Sequence, residues 1–510
     1  MILLIGKAIS CADGVRGKNI NSWDVRSAGF TCRPFFIATV NLRSIYQWIF
    51  QPVCIIILNM KDMICWKNEI LKNGLKYHII TYGCQMNEHE SEKIAGILEE
   101  LGYRPAQEKE EADFILFNTC CVRENAEQKT FGNVGKIKKL KEENKNLIVA
   151  VCGCMTQQEE VAHKLSKTFP FVDIIFGTHN IHELSGMLLE RLSEKQRVLR
   201  VQQSDGQVHE AVPLKRGQGP AASVNIMYGC NNYCSYCIVP YVRGAERSRD
   251  AADVLGEVKE LEIQGYQEIM LLGQNVNSYN GKGINFSQLL NQICTETKIP
   301  RIRFMTSHPK DLSDELIETI AKHPQICRHI HLPVQSGSTK VLERMNRKYT
   351  RAEYLSLVDK IRRAVPGIAI TTDIIVGFPG ETEQDFEDTL SLVREVRFDA
   401  AFTFVYSVRS GTAAAKMADM VDETTKRERI VRLVALQNEI TEQRNKEYEG
   451  QTVCVLVEGQ STRNAQHVCG KSGSFKMVNF EGDPSMIGTF QEILITQGKK
   501  TTLFGTAVRK

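Results

Sequence analysis

Residues 228–244 read YGCNNYCSYCIVPYVRG, and the C-x-x-x-C-x-x-C spacing of Cys230, Cys234 and Cys237 governs how the rest of the chain is read. Three thiolates on one short loop hold three irons of a [4Fe–4S] cube, whereas a purely electron-carrying cluster takes a fourth cysteine. The remaining iron is open, and an open coordination position is where a substrate or cofactor binds. A zinc knuckle requires four ligands, and no C-x-x-C or histidine pair nearby completes such a set.

Outward from this loop the chain alternates strand and helix over about 223–440. SVNIMYG, EIMLLGQNV, RIRFMTS, HIHLPVQSG, AITTDIIVGFPG and AAFTFVYS are short apolar or β-branched runs. Amphipathic segments such as DLSDELIETIAKH separate them. The expected fold is α/β, with a central partial (β/α) barrel whose chemistry gathers at the carboxyl ends of its strands. Gly273-Gln274-Asn275, Ser307-His308-Pro309, Gln335-Ser336-Gly337 and Gly377-Phe378-Pro379-Gly380 fall at those ends.

A second strand–helix series precedes it, from Tyr77 to about Lys195: YHIITYGC, DFILFNTC, NLIVAVCGC and FVDIIFGT. It predicts an amino-terminal parallel α/β domain. Cys84, Cys120 and Cys154 each follow one of these strands, spaced by 36 and 34 residues, about one strand–helix–strand repeat apart. Neighbouring parallel strands end on one edge, so three distant sulfurs are expected to converge there as ligands of an auxiliary cluster. A lone cysteine would be read as a small core residue. Cys152 is expected in the strand core, and Cys121 competes with Cys120 as a ligand.

From about Gly450 onward, TVCVLVEG, SFKMVNF, TFQEILITQG and TTLFGTAV are glycine-punctuated alternating strands, the pattern of a small antiparallel β-barrel. Residues 451–510 carry seven basic and four acidic side chains. Most of the chain's net charge of +4 is therefore local to this end. The expected boundaries are 1–72 for a poorly specified extension, 73–195, a linker at 196–222, 223–446 and 447–510. The first sixty residues hold six basic and two acidic side chains, and their apolar run ending at Met60 is short for a membrane span. A natural start at Met60 or Met63 is the reading adopted for them. Sixteen cysteines in 510 residues fit a reducing compartment rather than a short secreted disulfide scaffold.

The cysteine triplet, with the aromatic Tyr236 just before its last member, resembles the radical S-adenosylmethionine (SAM) superfamily. Together the three domains resemble the methylthiotransferases, the last one resembling a TRAM domain. GCQMNEHESE, NTCCVRENAEQK and LLGQNVNSY resemble the tRNA-2-methylthio-N(6)-dimethylallyladenosine synthase branch. The alternatives are the branches acting on threonylcarbamoyl-adenosine tRNA or on a ribosomal-protein aspartate, and, from another class, a non-catalytic RNA-binding iron–sulfur protein.

This resemblance implies methylthiolation of carbon 2 of the modified adenosine at position 37 of tRNA, in the anticodon stem-loop. One SAM methylates a sulfur on the auxiliary cluster at Cys84, Cys120 and Cys154; a second SAM, on the cluster at Cys230, Cys234 and Cys237, yields the radical that activates the carbon. It also implies two [4Fe–4S] clusters, a flavodoxin- or ferredoxin-like electron donor, a sulfur source, a cytoplasmic location and no membrane. The expected SAM contacts are Tyr236, Gly273, Gln274, Asn275, Ser307, Gln335 and Asp373. Arg243, Arg247 and Arg249 are expected at tRNA phosphate or the SAM carboxylate. Lys471, Lys476 and Lys499, with Lys500 and Arg509, are expected at phosphate, and Phe475 and Phe480 at unpaired bases or in the core.

Overall fold

Runs of β-branched and aromatic residues bounded by turns become strands here, and the amphipathic segments between them become helices. The computed structural model describes residues 66–121, 124–202, 206–209, 212–462, 464 and 466–508. The expectations on Met60, Met63 and Arg509 lie outside the described residues.

The amino-terminal sheet holds β1 (Lys76–Thr81), β2 (Arg104–Pro105), β3 (Phe114–Thr119), β4 (Ile148–Gly153), β5 (Ile174–Phe176) and β6 (Val198–Arg200). Its order is β2-β1-β3-β4-β5-β6, with every pair parallel. The central strands are buried on both faces, as a sheet covered by helices on both sides requires. Two expected boundaries shift. Residues 66–73 are helical and Ile70 lies in the core of this domain, so residues 66–72 are not part of a separate extension. The expected linker at 196–222 begins with β6, whose hydrogen bonds extend the sheet by one edge strand.

The central domain is a partial barrel of six principal strands: β7 (Ala221–Asn225), β10 (Glu268–Leu272), β13 (Arg301–Phe304), β14 (His329–His331), β15 (Ala369–Val376) and β16 (Ala400–Val405). Short pairs flank them: β8 (Met227–Tyr228) with β9 (Arg247–Ser248), and β11 (Asn280–Gly281) with β12 (Ile284–Asn285). The principal strands form two parallel sheets, β13-β10-β7 and β14-β15-β16, joined by a bridge between Ile302 and Ile326. Period-2 alternation divides their side chains. Ile269, Leu271, Ile302, Phe304, Ile330, Ile370 and Ile374 point outward into one continuous apolar core beneath the helices. Glu268, Arg303, His329, His331, Thr371 and Asp373 take the opposite parity and line a polar lumen.

The carboxyl-terminal domain is a closed five-stranded barrel, β17 (Thr452–Gln460), β18 (His467–Ser472), β19 (Met477–Glu481), β20 (Phe490–Gly498) and β21 (Leu503–Ala507). Its order is β17-β18-β19-β21-β20, and the β19–β21 pair is parallel, so the barrel is not wholly antiparallel. It docks at the amino ends of the central strands. Arg301 donates to the carbonyls of Lys471 (2.8 Å) and Cys454 (3.1 Å), and Arg303 donates to that of Ser472 (2.5 Å). Phe475 stacks on His329 at 4.8 Å and closes the floor of the lumen.

Candidate functional site

The first cysteine loop leaves β8 through Gly229, whose φ of 76° and contact with the carbonyls of Gly244 and Ala245 leave no room for a Cβ. The amide of Cys230 then donates to Gly244 O (3.2 Å), and that of Cys237 to Cys234 O (2.9 Å), curling the loop on itself. The sulfurs lie close enough to raise one another's proton affinity. Burial pushes the Cys237 thiol up to about 12, and Cys234 and Cys230 add to it. Burial likewise raises Cys230. Such a trio is held as thiolates by a cation, which inverts the local proton balance.

Two donors reach these sulfurs: Arg347 Nη1 to Cys234 Sγ (3.3 Å) and Asn232 Nδ2 to Cys230 Sγ (3.5 Å). Hydrogen bonds to sulfur tune the potential of a bound cluster. Arg347 is itself pinned by Tyr349 Oη (2.9 Å) and Pro333 O (2.8 Å). It lies far from the triplet in sequence, and no motif signals it. Tyr236 packs in the apolar group of Val341, Met345, Phe378, Tyr406 and Ala414.

At the strand ends the expected SAM contacts divide into two kinds. Gln274 Oε1 accepts from the amide of Gly229 (2.6 Å), so it braces the cysteine loop. Asn275 is buried, donating to Asp311 Oδ2 (2.7 Å) and accepting from the amide of His308 (3.1 Å). The carbonyl of Gly273 accepts from Thr306 Oγ1 (2.8 Å). Ser307 and Gln335 differ: both are buried, and Ser307 Oγ and Gln335 Oε1 have no hydrogen-bond partner. Asn225 at the end of β7 shares this state at both side-chain atoms, as does Asn277 at Oδ1. Each such group costs about 1–3 kcal/mol unpaired. Gln335 also holds a φ of 72°, a conformation L residues avoid. Unpaired polar atoms and strain gathered at one barrel mouth are what a polar ligand would satisfy. Asp373 Oδ1 lies 3.3 Å from His331 Nε2.

The second trio follows β1, β3 and β4, which are adjacent. Gly83 brings the Cys84 loop so close to the next strand end that a Cβ there would sit 2.8 Å from Cys120 Cβ. The amide of Cys154 donates to Thr119 O (2.9 Å). A buried amide network joins these ends: Asn87 Nδ2 donates to Asn118 Oδ1 (3.1 Å) and Thr119 O (3.0 Å), and Asn118 Nδ2 donates to Asn87 O (2.8 Å). Cys84 Sγ donates to Asn87 Oδ1 (3.3 Å). Sequence reasoning missed Asn87 and Asn118, although an amide ending the apolar run FILFNT was a legible signal.

Cys121 faces Cys154. A hydrogen bond from the Cys121 thiol, aided by Arg243, brings Cys154 down to about 7, while the same bond and burial raise Cys121. Cys152 lies in the core, as expected. Among the described residues no three of these side chains converge tightly enough for a single ion. Thiolates at one sheet edge are the ligand type that a four-iron cube takes.

The two trios share one mouth. Met86, two residues past Cys84, packs on Met270 and Leu272 of the lumen face of β10. Arg243, on the helix Val239–Arg243 after the first loop, donates from Nη2 to Cys154 Sγ (3.0 Å).

Comparison with known proteins agrees with this layout. Residues 76–177 match Uncharacterized protein family UPF0004, 224–393 the Radical SAM superfamily and 446–508 the TRAM domain. A tRNA-2-methylthio-N(6)-dimethylallyladenosine synthase of Anoxybacillus flavithermus is 54% identical over 441 residues, covering 86% of this chain and 84% of that protein. One of Clostridium botulinum (strain Langeland) is 51% identical over 456 residues, covering 89% of this chain and 99% of that protein. The chain belongs to the tRNA-2-methylthio-N(6)-dimethylallyladenosine synthase family. The radical SAM methyltransferase TsrM of Kitasatospora setae, solved with cobalamin and a [4Fe–4S] cluster, shares the fold. Its TM-score is 0.51 at 15% identity, covering 67% of this chain and 77% of that one.

In this synthase-family chain, several basic residues expected at RNA are elsewhere. Arg243 is buried and paired with Glu90, and Arg249 is buried between Asn225 O (2.7 Å) and Glu257 Oε2 (2.5 Å). Neither can reach a phosphate, because each guanidinium already neutralises an interior carboxylate. Arg247 lies over the ring of Tyr228 at 5.9 Å and donates to Arg243 O (3.3 Å). Lys476 is also corrected: its side chain is 10% exposed and its Nζ lies 3.0 Å from Asp399 Oδ1. Phe475 plugs the lumen, and Phe480 is in the small barrel's core. Lys471 is half-buried and pairs with Glu458 at 2.9 Å. Lys499 is exposed above Phe504 and Lys500 is exposed beside it, so both are available to solvent.

Proposed function

We infer that this chain is a tRNA-modifying methylthiotransferase that installs a methylthio group on carbon 2 of N(6)-dimethylallyladenosine at position 37 of tRNA; its relatives are named tRNA-2-methylthio-N(6)-dimethylallyladenosine synthases. Two contacts support the mechanism: Arg243, on the helix after the first cysteine loop, reaches Cys154 Sγ, and Met86, just past Cys84, packs on the lumen face of β10.

In this reading Cys230, Cys234 and Cys237 hold the SAM-binding [4Fe–4S] cluster that the radical SAM family carries. Cys84, Cys120 and Cys154 hold the auxiliary one. Bound there, the clusters and SAM supply a 5′-deoxyadenosyl radical and a methyl-bearing sulfur. The chain's own residues place these reactants. Gln274 fixes the start of the cysteine loop, and Arg347 and Arg243 set the electrostatics of one sulfur in each trio. Ser307 and Gln335 offer unpaired oxygens to the polar part of SAM, with Gly273, Asn275 and Asp373 shaping the same mouth and Tyr236 walling it. Met86 and the amino-terminal domain cover the lumen, keeping water from a reactive radical.

The partners of this reading are the tRNA anticodon stem-loop, an electron donor of the flavodoxin or ferredoxin kind, and a sulfur source. A cytoplasmic location belongs to the same reading. No helix among the described residues is long and apolar enough to cross a membrane. In this reading the exposed Lys499 and Lys500 of the TRAM barrel meet RNA phosphate.

Mass spectrometry of tRNA nucleosides with and without the gene tests the function. Loss of the 2-methylthio nucleoside, with N(6)-dimethylallyladenosine accumulating, is expected. Unchanged nucleosides would overturn it.

A further inference from the structure

Phe402 and Phe404 give the lumen an aromatic edge that the chemistry above does not use. In the parallel register of β15 and β16, Asp373 pairs with Phe402 and Ile375 with Phe404, so these four side chains share the lumen face. Their outward neighbours Ile370 and Ile374 are fully buried under helices. Phe402 is 47% exposed although it points into the lumen. A large aromatic ring is ordinarily covered, and one left open in a concave site is a surface for a ligand.

Phe402 is held in place. The His331 ring meets it edge-on, with centroids 5.8 Å apart and planes at 72°. His331 is in turn oriented by Thr371 Oγ1 at Nδ1 (3.0 Å) and Asp373 Oδ1 at Nε2 (3.3 Å). β16 is the outer strand of its sheet, so Phe402 borders the lateral opening of the partial barrel, through which a base flipped from an RNA loop would enter. One pair further along β15 and β16, Ile375 packs in the same apolar group as Tyr236, next to Cys237. The wall therefore runs from the opening to the radical-generating loop.

We propose that Phe402, backed by His331, is the face against which the target adenine and its apolar N6 substituent lie, and that this contact makes the enzyme prefer the dimethylallylated base over unmodified adenosine. The proposal rests on the function inferred above. Stacking orients a ring without fixing its edges, which leaves carbon 2 free to face the radical, and an aromatic face buries a branched five-carbon group well. A second possible occupant, the adenine of SAM, is separated by the test.

The test uses reconstituted, anaerobic protein and synthetic anticodon stem-loop RNA with and without the dimethylallyl group. Wild-type protein is expected to bind and convert the modified RNA preferentially. Phe402→Ala should weaken binding of modified RNA roughly tenfold and erase most of that preference. It should also raise the 5′-deoxyadenosine formed per methylthio product, leaving iron content and SAM affinity unchanged. Phe402→Tyr should restore binding, and Phe402→Leu, which keeps apolar bulk at this edge, covers the case in which the alanine variant is poorly folded. Unchanged RNA preference in both the alanine and leucine variants would overturn the wall, as would a loss confined to SAM affinity. If wild-type protein itself shows no activity on modified RNA, the inferred function fails rather than the wall.

Discussion

Arg243 Nη2 lies 3.0 Å from Cys154 Sγ, so an arginine that follows the first cysteine trio donates to a sulfur of the second. The same guanidinium forms a bidentate, buried pair with Glu90 from the helix Gln85–Glu100. One side chain thus ties the radical-SAM core to the amino-terminal domain and sets the charge beside Cys154.

Removing this arginine should have separable effects. Arg243→Met leaves Glu90 buried without its counterion, which costs about 3–5 kcal/mol. Adding Glu90→Leu should recover most of that stability but no methylthio product, because Cys154 still lacks its donor. Denaturant melts of both variants, with nucleoside analysis of the tRNA they act on, check the split.

The two trios should lose iron independently. Alanine at Cys84, Cys120 or Cys154 is expected to halve the iron of reconstituted protein while SAM cleavage to 5′-deoxyadenosine persists. Alanine at Cys230, Cys234 or Cys237 should abolish that cleavage. Cys121→Ser should keep full iron, since Cys121 is assigned as a neighbour of Cys154 and not as a ligand. Iron assays with product chromatography decide each case, and loss of half the iron in Cys121→Ser, with full iron kept in Cys120→Ala, would exchange its role with that of Cys120.

His329 predicts a fall in stability with acid. Burial, then Arg303, His331 and Lys476, hold its pKa well below the ordinary histidine value. Below about pH 6.5 the unfolded chain therefore binds a proton that the folded chain refuses. Its contribution is complete above that pH and declines by up to about 1.4 kcal/mol per pH unit below it. His329→Phe keeps a ring to stack on Phe475 and removes the proton site. Its melts between about pH 7 and pH 5 should be flatter than those of the parent.

Phe475 should matter to stability more than to RNA contact. Its ring stacks on His329 and takes the Arg303 guanidinium at 5.2 Å. Phe475→Ala is expected to cost about 1.5–3 kcal/mol from lost apolar burial. Affinity for tRNA at a temperature where the variant stays folded should change little. Thermal melts and an RNA-binding titration together check this, and Lys499→Glu should show the reverse pattern.

Much of the site was legible because its geometry is local or periodic. The spacing from Cys230 to Cys237 puts three sulfurs on one loop whatever surrounds it. The intervals between Cys84, Cys120 and Cys154 each match one strand–helix–strand repeat, which places them on adjacent strand ends. Ser307 and Gln335 were placed at the mouth by the same reasoning, and there each holds a buried side-chain oxygen without a partner. The basic residues were not legible in this way. Arg243, Arg249 and Lys476 read as solvated positive charge, yet each is drawn inward by a carboxylate, Glu90, Glu257 or Asp399 respectively.

From its sequence alone, the chain determined three α/β and β modules, two trios of cysteines and the strand ends and loop on which they stand. These follow from hydrophobic period and short-range spacing, which each segment carries within itself. Only the tertiary structure decided which cations stay exposed and which hold domains together, that Phe475 closes the lumen, and that Phe402 stays open. A cation's free energy depends on whether a partner replaces its lost water, and that partner lies on another element brought near only by folding.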